Sequence, residues 1–322
     1  MNSHKRLYFL ASLACLLVIL SSCLQSPPQP LRVGGNVWPG YESLYLASDL
    51  GYYNNNQIQL VDYPSATEVS RALRNGDLEV AALTLDETLS LAETNHDVRV
   101  VLITDVSAGG DAILAKPGIE TLAALKGRRV GVESNALGAL VITRALEQVN
   151  LSPQDLKIVS LGVSEHEFAF KQGSVDAVVT FEPVRSKLLK MGANLLFDSR
   201  QIPGEIVDVL VVPQTVLESQ RKQLDVLIQG WFRALDYLNK HPEDAAKRMA
   251  PRQGLNPKQF LATLELLHIP DFQENQQLLS KADPKLLNVL RKLSKLMLEK
   301  DLLKQAVQVE SLLDDRLVKA LP

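Results

Sequence analysis

Cysteine is nearly missing from this chain of 322 residues: Cys15 and Cys23 are the two present, and both fall at the start. From Leu24 onward neither an internal disulfide nor a cysteine-ligated metal site can form. Aromatic residues make up only 5% of the chain, and 34 Lys and Arg stand against 37 Asp and Glu for a net charge of −3. With no basic excess, nothing favours a nucleic acid as partner. The histidines His4, His96, His166, His241 and His268 are scattered and give no zinc spacing. A Gly-x-Ser-x-Gly elbow, a phosphate loop and a dinucleotide fingerprint are likewise missing. The chain therefore reads as a non-enzyme with no catalytic residues, no cofactor and no metal. Beyond the first 22 residues no apolar run of about 18 residues occurs, so no membrane-spanning helix is expected.

The N-terminus is informative. Lys5 and Arg6 precede an apolar run over 7–20, and Leu20-Ser21-Ser22-Cys23 closes it. The order is that of a secretory signal, and it resembles the lipobox of bacterial lipoproteins. Under that resemblance residues 1–22 are a signal peptide, and Cys23 becomes the N-terminus carrying diacylglycerol and palmitate as a membrane anchor. The plain alternative is an ordinary secretory signal with Cys23 a stray thiol. Residues 23–30 contain Ser26-Pro27-Pro28-Gln29-Pro30 and read as a stiff polar tether. Cleavage before Cys23 removes Lys5 and Arg6, leaving 300 residues and a net charge of −5. That length exceeds one compact core, so two lobes are expected. Leu24 leaves the periplasmic face of the inner or outer membrane, or the surface of a single-membrane cell, open as the location.

From Leu31 onward short apolar runs alternate with helical periodicity. The spacing predicts strands at 31–34, 58–61, 80–83 and 98–104, and helices at 42–50, 66–75 and 87–93. A second series has strands at 129–132, 157–161 and 177–181, with helices starting at Ala136 and Glu165. A late strand at 207–212 is followed by helical pattern that includes 222–239 and 284–298. This is α/β alternation of the kind that gives parallel pairing. A chain that enters one sheet, crosses to another and returns makes two lobes joined by two crossing strands, with the site in the cleft.

Four stretches carry a family resemblance: ESLYLASDLGYY at 42–53, LKGRRVGV at 125–132, FEP at 181–183 and HPEDAAK at 241–247. In order and spacing they resemble the solute-binding proteins of ABC importers of the nitrate, taurine and alkanesulfonate type, which include pyrimidine-precursor binders. The resemblance covers nearly all of 31–260. It implies a type II periplasmic-binding-protein fold of α/β class, with central mixed sheets and two crossing hinge strands. Lobe 1 would be 31–112 with 207–322, and lobe 2 would be 113–206. Hinges are expected near 108–112 and 203–207, where Gly109-Gly110 and Pro203-Gly204 occur. The implied partners are a small solute, a membrane permease with its ATPase, and the bilayer itself through Cys23. A monomer is expected.

Candidate ligand-binding residues lie where strands end, since sheets of this class bind ligands at their carboxyl edges. Trp38, Tyr41, Tyr45, Tyr52 and Tyr53 place five of the chain's 17 aromatics within 16 positions. Trp38 and Tyr41 belong to the first strand-to-helix loop and read as ligand contacts, while the other three tyrosines read as packing. Thr84 and Asp86 follow the third strand, Asp105 and Ser107 the fourth. Glu133, Ser134 and Asn135 follow the first strand of the second series; Asn135 also suits a helix cap, and Gly138 permits close approach. Glu182 ends the strand at 177–181, and by the family resemblance its position lines the cleft. Asp208 stands beside the second crossing.

The charges at these points are one-sided. Asp86, Asp105, Asp111, Glu133, Glu182 and Asp208 stand at or near expected strand ends, with no convincing Arg or Lys among them. A neutral polar or cationic solute, such as an amine or nitrogen heterocycle, is the expectation. A sulfonate, taurine or nitrate binder is the alternative, and a sensor signalling through a partner is another. An enzyme resembling hydroxymethylpyrimidine synthases is disfavoured by the missing cysteine-rich segment and by the export signal. Ser164-Glu165-His166-Glu167 reads as a capping box with Ser164 as N-cap and Glu167 three residues on. Leu286, Leu287, Leu290, Leu293, Met297 and Leu298 form an amphipathic stripe expected to pack on lobe 1.

Overall fold

The computed structural model describes residues 29–94, 97–280 and 285–321. The signal-peptide candidate 1–22, the lipid-anchor candidate Cys23, most of the expected tether, His96 and Pro284 lie outside the described residues. From Leu31 the chain forms its own compact unit.

Its strands are β1 (Leu31–Gly35), β2 (Ile58–Asp62), β3 (Val80–Thr84), β4 (Val98–Ser107), β5 (Asp111–Ala115), β6 (Arg129–Val132), β7 (Lys157–Ser160), β8 (Ala177–Phe181), β9 (Asn194–Asp198), β10 (Val207–Pro213) and β11 (Leu267–His268). The longer helices are α1 (Glu42–Asp49), α2 (Ala66–Asn75), α3 (Leu85–Glu93), α4 (Ala136–Glu147), α5 (Val163–Gln172), α6 (Val184–Lys190), α7 (Gln214–Ser219), α8 (Arg221–Lys240), α9 (Pro242–Met249), α10 (Pro257–Leu264), α11 (Phe272–Leu279) and α12 (Lys285–Glu299).

Among the described residues two sheets form. The first has six strands in the order β11-β4-β10-β3-β1-β2, and the second has five in the order β7-β6-β8-β5-β9. In the first, β1 runs parallel to β2 and β3, and β10 is antiparallel to β3 and β4. In the second, β6 is parallel to β7 and β8, whereas β5 is antiparallel to β8 and β9. Both sheets are therefore mixed, because each receives one strand that arrives from the other sheet. The all-parallel pairing that alternation alone suggests is corrected at β5, at β10 and at the two-residue edge strand β11, which is antiparallel to β4.

Continuous apolar runs build the sheet centres. All five residues of β3 and of β5 are buried, as are six of the seven in β10. Such strands need cover on both faces, and amphipathic helices provide it. In α8, Leu224, Leu227, Ile228, Trp231, Leu235 and Leu238 recur at helical spacing and are buried. In α12, Leu286, Leu290, Leu293 and Met297 join the core of the first sheet, while Leu287 and Leu298 are only partly covered.

Two segments carry the chain between sheets: 108–110 from β4 to β5, and 199–206 from β9 to β10. Each contains a glycine at positive φ, Gly109 at 121° and Gly204 at 74°, a region that side chains disfavour. The crossings run side by side. Ser107 Oγ lies 2.8 Å from Ser199 Oγ, which also accepts from the Gly109 N–H at 2.6 Å.

The capping box at α5 is displaced from its expected place. Helix α5 starts at Val163, and Glu165 Oε2 accepts from the Gly162 N–H at 2.8 Å. Ser164 and Glu167 are therefore not the box. His166 turns inward, its Nδ1 3.1 Å from Thr180 Oγ1, and burial pushes its imidazole down to about 4.

Candidate functional site

The carboxyl ends of β1 and β3 and the amino-terminal end of β10 face the ends of β6 and β8 across a narrow cavity of about 20 Å³, room for the centre of about one water. From the first sheet's side it is lined by Asn36, Trp38, Tyr41, Ala66, Thr84, Glu87 and Asp208, and from the second by Asp111, Glu133, Asn135, Leu137 and Phe181.

Strand pairing explains the grouping. Asp208 in β10 sits in register with Thr84 of β3 on one side and Asp105 of β4 on the other. Asp111 opens β5 in register with Phe181, which closes β8. Trp38 and Phe181 meet edge to face, with ring centroids 5.7 Å apart, so aromatic surface spans the cavity from both sheets. Trp38 is steadied by donating its Nε1–H to Asp105, 3.1 Å from Oδ2. Tyr41 donates its hydroxyl to Asp208 Oδ1 at 2.5 Å.

A side-chain bond also links the two halves. Asn135 accepts the Gly138 N–H at 2.8 Å, capping α4, and donates its Nδ2–H to Glu87 Oε1 at 2.9 Å. The other Glu87 oxygen accepts from the Thr84 N–H at 3.1 Å. Glu87 thus ties the start of α3 to the start of α4.

Burial dominates the electrostatics. It raises Asp86, Glu87, Asp105 and Asp208 above the usual carboxylate range, and it pushes Asp111 and Glu133 up to about 7. Removal from water penalises each charged form, and neighbouring carboxyls add to the effect at Glu87, Asp111 and Asp208. None of the cavity-lining residues is Lys or Arg.

Of the residues singled out in the sequence, Trp38, Tyr41, Thr84, Asp111, Glu133, Asn135 and Asp208 line the cavity. Asp105 stands behind it, holding Trp38. Asp86 is buried but does not line it. Ser107 joins the two crossings instead. Ser134 bonds to Ser160 at 2.6 Å and borders an outer groove that also touches Glu133 and Asn135. Gly138 packs against the Glu133 carbonyl, where a Cβ would overlap it. Glu182, expected to line the cleft, turns into its own helix. It accepts from Arg185 at 3.1 Å and from the Ser186 hydroxyl at 2.8 Å, so the cation missing from the strand-end pattern sits three residues on.

Asn36, Ala66, Glu87, Leu137 and Phe181 line the cavity without having been singled out. Asn36 directly follows β1, the same strand-end signal that marked Thr84. Tyr45, Tyr52 and Tyr53 pack structurally: Arg252 covers Tyr45 at 3.3 Å, Arg233 covers Tyr52 at 3.8 Å, and the Tyr53 hydroxyl bonds to the Leu44 carbonyl. Among the described residues no cluster of His, Cys, Asp and Glu has metal-holding geometry.

Comparison with known proteins agrees with this architecture. The chain is similar to a putative ABC transporter periplasmic binding protein of Brachyspira hyodysenteriae, 23% identical over 209 residues, covering 60% of each protein. It is also similar to a putative aliphatic sulfonates-binding protein of Escherichia coli, 25% identical over 185 residues, covering 55% of this chain and 57% of that one. The matches thus span less than two thirds of these relatives. Among solved structures, the alkanesulfonate-binding protein SsuA of Xanthomonas axonopodis pv. citri, bound to MOPS, superposes with a TM-score of 0.75 at 20% identity, over 88% of this chain and 97% of that one. The fold is therefore that of type II periplasmic binding proteins. Residues 24–252 match the model of the NMT1-like family, and with the fold in agreement the chain belongs to that family.

Proposed function

We propose that this chain is the extracytoplasmic solute-binding component of an ABC importer, and that its solute carries a cationic or N–H-rich nitrogen. One observation carries the ligand reading: Glu87, Asp111, Glu133 and Asp208 line the cavity beside Trp38, Tyr41 and Phe181, and among the described residues no Lys or Arg lines it. An anion enclosed there would meet buried carboxyls and no positive side chain. A cation would gain from both the carboxyls and the ring faces.

In the proposed cycle the body built on the first sheet and the body built on the second, which Asp111 enters with β5, close on the solute by rotation at the two crossings. The closed form then presents both outer faces to a permease and its ATPase. No bond is made or broken. The protein works as a monomer, held at the membrane by lipid on Cys23.

A second reading, a sulfonate or taurine binder, is favoured by what the E. coli relative and the Xanthomonas protein are named for. Thermal midpoints of the body from Leu31 onward, measured against amines, nitrogen heterocycles, amino acids, sulfonates and nitrate, separate the two. A ligand at 100 times its Kd stabilises by about 2.7 kcal/mol. Shifts confined to cationic or heterocyclic compounds are expected. Shifts confined to sulfonates or nitrate would keep the importer role and overturn the ligand, and no shift at all would favour a sensor that binds a protein partner.

A further inference from the structure

The four acids that line the cavity are not equivalent. Both oxygens of Glu87 accept bonds from the protein, and Asp208 takes the Tyr41 hydroxyl. Asp111 and Glu133 differ from these. They are 3% and 7% exposed, and Asp111 Oδ2 and Glu133 Oε1 have no hydrogen-bond partner. A buried acceptor left unpaired costs about 1–3 kcal/mol, so two in one small cavity call for donors. Each carboxyl is also anchored on the protein side, Asp111 by Ser107 and Glu133 by Thr67, both of which favour its charged form.

Their placement separates them. Asp111 opens β5 and Glu133 follows β6, and β8 lies between those strands. Strands spaced about 4.8 Å apart set the two backbones about 10 Å from one another. One nitrogen does not serve both positions.

We infer that the solute presents two separate N–H-bearing nitrogens, one to Asp111 Oδ2 and one to Glu133 Oε1, in the manner of a short aliphatic diamine. This rests on the cationic reading above and narrows it. The second sheet then supplies the charge selectivity, while Trp38 and Tyr41 of the first supply apolar cover for the carbon chain between the nitrogens.

Calorimetric titration of the body from Leu31 onward with butane-1,4-diamine, butan-1-amine and taurine tests this, on the unaltered protein and on Asp111→Asn and Glu133→Gln. The diamine is expected to bind about tenfold or more tighter than the monoamine, and either substitution to remove that advantage, since a hydrogen bond to a charged group is worth roughly that factor. Equal affinity for diamine and monoamine would overturn the two-nitrogen assignment while leaving a cationic solute in place. Binding of taurine alone, unchanged in both variants, would overturn the assignment together with the reading beneath it. Absence of any heat with the diamine would also overturn it. Both variants keep the shape of the acid, and the thermal midpoint of each without added compound reports its folding independently.

Discussion

Gly40 shows how closely the cavity wall is assembled at the level of single residues. A Cβ there would overlap the Asp105 carboxylate and press on the Trp38 indole nitrogen. Gly40→Ala should therefore lower stability by about 1–3 kcal/mol through overpacking, read as a lower urea midpoint with an unchanged slope. An unchanged midpoint would mean that the loop yields freely. Much of the site at this scale is legible from strand ends alone: Trp38 and Asn135 follow strands, Thr84 closes β3 and Asp208 stands second in β10. What pattern cannot supply is side-chain direction. Neighbouring residues on a helix differ by about 100° in bearing, from 3.6 residues per turn, so Glu87 reaches the cavity while Asp86 beside it does not. With α3 expected to start at Glu87, two positions late, that distinction was out of reach. Glu182 is the complementary case, because its partner Arg185 lies one helical turn ahead and only the fold brings it back.

At the level of elements, α12 completes the first core. Leu290 is fully buried within it, so Leu290→Ala should cost about 2–5 kcal/mol, measured by denaturant unfolding. A loss below about 1 kcal/mol would mean that α12 is not part of the cooperative unit. The stripe from Leu286 to Met297 was readable because 3.6-residue periodicity persists over about three turns. The five-residue strands β5 and β9 were not anticipated. Asp111-Ala-Ile-Leu-Ala follows two glycines and is too short for any period to declare itself, and Asn194-Leu-Leu-Phe-Asp has the same weakness. Their omission hid the antiparallel pairing of the second sheet. It also hid that Asp111 opens a strand there, short of the expected boundary at residue 112. Helix α12 is followed by Lys300, which pairs with Glu147 of α4. This exposed contact adds little energy, yet it gives the C-terminal segment a foothold beside the second sheet.

For the whole molecule, the buried acids set a pH dependence. Asp111 and Glu133 hold their protons up to about 7, whereas in an unfolded chain they release them near pH 4. The folded form therefore binds more protons between those values, and its stability falls as pH rises through that window. Asp62 and Asp176, lowered chiefly by Arg252 and Arg129, act in the opposite sense but below about pH 4. The thermal midpoint without added solute should thus decline from about pH 5 to pH 8, and Asp111→Asn should flatten part of the decline. A midpoint that rises over this range would show that these acids are ionised throughout.

The paired crossings at 108–110 and 199–206 have a mechanical consequence. Two attachment points lying side by side define a line, and two bodies joined along a line keep one soft degree of freedom, rotation about it. Sliding and twisting would require both segments to stretch. In the closure proposed above, opening then reduces to a single coordinate, and the distance between two well-chosen surface positions measures all of it. Because cysteine is missing after Cys23, a pair of thiols introduced for that purpose would be the sole pair reporting from the body.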